Sequence, residues 1–212
     1  MTAYGSKRVQ EKQRGVEKRK RTRFIFISAE GTNKTETLYF KQFQSRGVQF
    51  KFVTGSSTDP VKMSKDLVSK MNAEGFDVEY GDAAYCLVDG DNYPYKNQQI
   101  AEADSLAREH AFKIILSNPC FEIWFICHDH FSTRQYTSGS EAVDEGKKFY
   151  PGYSKANIPE KEYLLEKLPA AIENAKKLRK WNEDQGKRNH TVEFQPSTEV
   201  YQIIEEAQLL QE

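Results

Sequence analysis

Short continuous apolar runs alternate with longer amphipathic ones through the first half of the chain. Arg23-Phe-Ile-Phe-Ile-Ser-Ala29 and Ala83-Ala-Tyr-Cys-Leu-Val88 are rich in β-formers, the pattern of strands covered on both faces of a parallel sheet. Gln49-Phe-Lys-Phe-Val53 alternates as a further strand, and Phe112-Lys-Ile-Ile-Leu-Ser117 completes a set of four. Between them lie three helical patterns. Asn33, with Glu36 three residues on, has capping-box spacing ahead of Tyr39, Phe40 and Phe43. Asp59-Pro60 opens a helix that buries Val61, Leu67, Val68 and Met71. Ile100, Ala103, Leu106 and Ala107 line the third.

Strands alternating with helices in this order imply right-handed crossovers, hence an α/β fold with a mostly parallel sheet and helices on both faces. The second half is mostly helical. A helix is expected from Asn118-Pro119 through Trp124 and Phe125, and a long amphipathic one through Leu165, Leu168, Ile172 and Ala175. The polar stretch Asn182 to His190 has the composition of an exposed loop. Pro196-Ser-Thr198 then opens a last helix carrying Val200, Ile204, Ala207 and Leu210. No internal repeat and no second domain emerge, so residues 1–22 are expected to be a basic arm and residues 23–212 a single α/β domain with C-terminal helices.

A chain of 212 residues, 38% apolar and 29% charged, suits one soluble domain with a real core. Its apolar runs are far shorter than the roughly 20 residues that span a bilayer. The charged first residues do not form a signal peptide, so a cytoplasmic protein without membrane partners is expected. Cys86, Cys120 and Cys127 are odd in number, lie among apolar neighbours and have no metal-ligand spacing, so they read as reduced core residues. The net charge of zero hides an asymmetry: Lys7 to Arg23 holds nine basic residues against two acidic, a local +7. Lys18, Arg19, Lys20, Arg21 and Arg23 form a sequence-independent handle for phosphates of RNA or DNA, or else a solvated leader.

Candidate chemistry collects where strands end. Glu30 follows the first strand and Asp89-Gly-Asp91 the third, and parallel strands bring both ends to one edge of the sheet, where ligands bind in such folds. Converging carboxylates without a cation repel, so Glu30, Asp89 and Asp91 invite a divalent ion, Mg2+ or Mn2+. Asp-Gly-Asp is also an ordinary strand-ending turn, and only its combination with Glu30 points to a metal. Glu122, alone in the apolar run Phe121 to Cys127, is either a further ligand or substrate contact or a buried structural carboxylate. Glu36 has a capping explanation through Asn33. Lys34 lies where a helix N-terminus could meet a phosphate. His128 and His130 lack a matched metal partner and read as structural. Tyr93, Tyr95 and Trp181 could stack on bases, with the tyrosines better placed beside the aspartates.

The order of Glu30 and Asp89-x-Asp91 on alternating strands and helices resembles the Toprim fold. More specifically, Ser28-Ala-Glu-Gly-Thr-Asn-Lys-Thr-Glu-Thr-Leu-Tyr-Phe40, Val88-Asp-Gly-Asp91, Ser117-Asn-Pro-Cys-Phe-Glu-Ile-Trp-Phe125 and Pro196-Ser-Thr-Glu-Val200 resemble successive motifs of RloB-like proteins. The resemblance spans nearly all the chain after the basic arm. It implies a catalytic unit from restriction and abortive-infection loci, often encoded beside an ATPase. It assigns Glu30 to proton transfer, with Asp89 and Asp91 on magnesium. The expectation is a metal-dependent nuclease acting on RNA or DNA in anti-phage defence, in monomeric or homo-oligomeric form. Two other readings stand beside it: a non-cleaving regulatory module that binds nucleotide or nucleic acid, and a small-molecule phosphotransferase.

Overall fold

Strict alternation of side chains along four parallel strands divides the core between two faces of one sheet. The computed structural model describes residues 22–30, 34–53, 55 and 57–207. The strands are β1 (Arg23–Ser28), β2 (Val48–Phe52), β3 (Ala83–Asp89) and β4 (Lys113–Asn118), with a two-residue β5 (Ser197–Thr198). The sheet order is β2-β1-β3-β4-β5, with all pairs parallel except β4 with β5.

Ile25, Ile27, Tyr85, Leu87 and Ile115 face one layer, packed against α1 (Lys34–Lys41), α4 (Glu122–Asp129), α6 (Lys161–Asp184) and α7 (Val200–Glu206). Phe26, Ala84, Cys86, Val88, Ile114 and Leu116 face the other, against α2 (Pro60–Ala73) and α3 (Lys96–His110). This is the expected mostly parallel α/β sheet with helices on both faces and a helical second half. Asp59 caps α2 by accepting from Val61 N–H, and Pro60 fills a first-turn position whose missing donor is not needed.

The two layers fix where a site can form. The β1-to-β2 connection runs through α1 on one face, and the β3-to-β4 connection runs through α3 on the other. Between β1 and β3 the winding reverses. In open parallel sheets the carboxyl ends of two strands that diverge in this way leave a crevice.

Several helix limits differ from the sequence pattern. α4 starts at Glu122 because Asn118 still belongs to β4, so the Asn-Pro pair closes a strand. α5 (Gly139–Phe149) was not expected; it buries Ala142 and Gly146, with Val143 and Phe149 half-buried against the core beside them. Ser197 and Thr198 form β5 rather than the first turn of α7. The polar stretch is a largely exposed loop over residues 185–190, but its start belongs to α6: Asn182 is fully buried there and donates to Leu178 O and Pro196 O. Asn33, the expected cap of α1, and Leu210 lie outside the described residues. Among those residues no helix is long and apolar enough to cross a membrane.

Candidate active site

β1 and β3 are neighbours, so their carboxyl ends deliver Glu30 and the Asp89-Gly-Asp91 turn to one place. Glu30 is buried, and its Oε1 accepts from Asp89 N–H at 3.2 Å. The turn that follows β3 is tightly specified. Gly90 N–H donates to Ser117 O and Asp91 N–H to Pro119 O, both at 2.9 Å. A Cβ on Gly90 would lie 1.4 Å from Asn118 Oδ1, so only glycine lets β3 and β4 meet here. Asp91 and Asn92 both take positive φ, 52° and 60°, a region that Asp and Asn tolerate better than most residues. Asn92 Nδ2 donates to Tyr136 O at 2.7 Å, which holds the turn from outside.

Two further acids join from the α1 and α4 side. Glu122 is buried at the start of α4 and accepts the Tyr153 hydroxyl at 2.7 Å. Glu36, which had a capping explanation, is instead only 2% exposed and feels the charges of Glu122 and Glu30. Lys96, at the start of α3, was overlooked. Its ammonium donates to Glu30 Oε1 at 2.9 Å, Asp91 Oδ2 at 2.7 Å and Asp89 O at 2.8 Å. The expectation of acids without a cation partner is therefore corrected: one lysine lies among five carboxylates.

Among the described residues, Lys96 and the more distant charge of Lys155 do not balance five acids. Burial, and then the charges of Glu36, Glu30, Glu122 and Asp91, push the Asp89 carboxyl well above its usual range. Burial raises Glu36 to about 7, with Glu122 and Glu30 adding to the effect and Lys155 opposing it. Glu30 is raised by burial although Lys96 pulls the other way. Burial works against the charge on Lys96, but Glu30 and Asp91 more than offset it and raise its pKa. Displaced carboxyl pKa values of this kind, gathered where the sheet reverses its winding, make the cluster a candidate site.

The donor set has the chemistry of a hard-cation site, all carboxylate oxygen and short of positive charge. Its arrangement is closed around the lysine: among the described residues no three His, Cys, Asp or Glu side chains stand ready to hold a metal ion. Elsewhere, His128 is a core residue, bonded through Nδ1 to Trp124 O at 2.8 Å and lowered by burial to about 4. His130 bonds Asp129. Cys86, Cys120 and Cys127 are free and buried.

Of the basic candidates, Arg23 does not reach this site. Arg23 begins β1 and donates to Ala207 O at 2.8 Å, which places it a strand length, about 20 Å, from the Glu30 end. Lys18, Arg19, Lys20 and Arg21, and the side chain of Lys34, lie outside the described residues. Tyr93 and Tyr95 are more than half exposed just beyond the turn, their rings stacked at 5.5 Å and 13°.

An acid-lined crevice between β1 and β3 of a β2-β1-β3-β4 sheet defines a Toprim-like α/β domain. This chain belongs to the RloB-like protein family, whose model matches residues 25–207. That span contains Glu30, Glu36, Asp89, Asp91, Lys96 and Glu122, while the basic arm precedes it. No curated protein and no solved structure matches the chain.

Proposed function

We propose that this protein is a metal-dependent nuclease that cleaves phosphodiester bonds in RNA or DNA as the effector of an anti-phage defence system. The observation that carries the reading is the excess of buried carboxylate at the point where the sheet reverses its winding. Asp89 and Asp91, with Glu30 beside them, would hold Mg2+ or Mn2+. Such an ion, when bound, orients a phosphodiester, offsets charge on its oxygens and acidifies water.

The remaining work falls to the protein's own groups. Glu30 handles the proton: it lies beside the two aspartates, and burial lifts its carboxyl above the ordinary range although Lys96 opposes the shift. Glu122 is held by Tyr153 and adds negative field at Asp89. Tyr93 and Tyr95 offer flat, exposed rings to unstacked bases beside the turn. Lys18, Arg19, Lys20 and Arg21 would supply phosphate contacts from the arm. The resemblance to RloB-like proteins supports a defence context and an ATPase partner.

A site closed around Lys96 also suits a non-cleaving module that binds nucleotide and gates a partner. One experiment separates the two. Labelled RNA and DNA are incubated with the full chain, with Mg2+, Mn2+ or chelator, alone and with the neighbouring ATPase. We expect metal-dependent cleavage that falls by about 10²- to 10⁴-fold in Glu30→Gln and is lost in Asp89→Asn. Nucleotide binding without cleavage under every condition favours the regulatory reading.

A further inference from the structure

Lys96 has a feature that the proposed reaction does not use. An ammonium carries three N–H donors, and all three are engaged, by Glu30 Oε1, Asp91 Oδ2 and Asp89 O. The side chain is 4% exposed. With no donor left and no access to solvent, it is not a phosphate-binding lysine. It is also placed against the helix dipole, since the first turn of α3 disfavours a cation. What compensates is the acid on each side. Lys96 thereby ties the end of β1 to both residues of the β3 turn, across the gap between two strands that are wound in opposite directions.

A dication seeking oxygens from Glu30 and Asp91 would compete for the two carboxylates that Lys96 already joins. We infer that Lys96 is a positioning residue: a resident cation that holds Glu30 and Asp91 in register and sets how tightly the site takes a divalent ion. Its catalytic half rests on the nuclease reading; its metal-affinity half does not require cleavage. Arginine should not substitute, because a planar fork cannot point three donors at acceptors grouped around one atom.

The test compares full-length wild type, Lys96→Met and Lys96→Arg, with circular dichroism and thermal unfolding to show that each is folded. Free Mn2+ is followed by electron paramagnetic resonance, and cleavage is measured at saturating Mn2+. Lys96→Met should bind Mn2+ about ten-fold more tightly or better, because a competing charge a few ångströms away is gone. Its kcat should fall about a hundred-fold with KM little changed, as expected when a reacting group loses its alignment.

A merely structural lysine would weaken metal binding on removal, so unchanged or weaker affinity in folded Lys96→Met overturns the inference. Tighter Mn2+ binding in a protein that cleaves nothing keeps Lys96 in this role and removes the nuclease reading. Robust cleavage in the wild type without the affinity gain does the reverse. Should Lys96→Met not fold, Lys96→Arg decides: wild-type kcat overturns the inference, and a fall of about ten-fold or more at saturating Mn2+ supports it.

Discussion

Two clusters of buried acid in this molecule have opposite electrostatics. At the β5 edge of the sheet, His190 bridges Asp104 of α3 and Glu199: Nδ1 lies 2.8 Å from both Asp104 oxygens and Nε2 2.9 Å from Glu199 Oε2. Glu199 also accepts from Leu116 N–H and from Asn189 Nδ2. Burial works against both charged forms, yet the hydrogen bonds and charges across the cluster hold Glu199 below the usual carboxylate range and raise His190 to about 10. At the ends of β1 and β3, five acids gather but only Glu30 and Asp91 pair with Lys96, and Asp89, Glu36 and Glu30 are displaced upward. With Arg179 also 3.6 Å from Glu199 Oε1, balance of charge marks the first as a structural staple between α3 and the segment leading into α7. Excess of acid in the second costs the fold stability, which is the physical ground for the proposal that it binds or reacts.

The sharpest way to break this contrast is to remove a charge from each cluster. His190→Ala removes the cation between Asp104 and Glu199 and leaves only Arg179, 3.6 Å from Glu199 Oε1, so it should cost about 3 kcal/mol of unfolding free energy. The pH dependence has a defined sign. The folded pKa of His190 lies above the ordinary 6.5, so its contribution is fully present below 6.5, declines as pH rises and is gone above about 10. Denaturant midpoints of wild type and variant should therefore converge in alkali. Glu36→Gln should do the opposite and stabilise. An acid raised from 4.5 to about 7 costs the native state stability as pH rises between those values. The variant should gain on the order of 2–3 kcal/mol above neutrality and nothing below the ordinary carboxylate range. A destabilised Glu36→Gln at pH above 7 would mean that the crevice is balanced after all.

The same contrast explains what could be read from the sequence. Strands buried on both faces leave continuous apolar runs, so β1, β3 and β4 were legible, and with them the carboxyl ends that carry Glu30, Asp89 and Asp91. Lys96 was not legible from polarity, because a lysine among Asn97, Gln98 and Gln99 has the composition of a solvated helix start. The available signal was electrostatic: a cation in a first helical turn, five residues beyond an aspartate, needs acid nearby to be tolerated. Glu36 was absorbed by its capping spacing with Asn33. Yet it shares a helix face with Phe40 and Phe43, at spacings of four and three, and that face is the one α1 buries. Asn182, at the end of α6, and the ion-paired role of His190 in the loop that follows were not legible, because polar residues that satisfy one another inside a fold leave no hydrophobic period. β5 is two residues long and can be recognised only by its partner strand.

The smallest expected effect sharpens the comparison from the side of function. Tyr93 and Tyr95 are 53% and 63% exposed and stacked on one another beside the Asp91 turn. A stack in solvent adds little to folding, so Tyr95→Ala should leave the denaturant midpoint close to that of wild type, unlike His190→Ala. On a surface that takes unstacked bases, each base–aromatic contact contributes about 1–3 kcal/mol. Tyr95→Ala should accordingly raise KM for a single-stranded substrate by about ten-fold, with kcat nearly unchanged because no reacting group has moved. Tyr95→Phe keeps the ring and should keep KM. Equal KM values for wild type and Tyr95→Ala would leave the two tyrosines as ordinary surface, and base contacts would then have to come from another part of the chain.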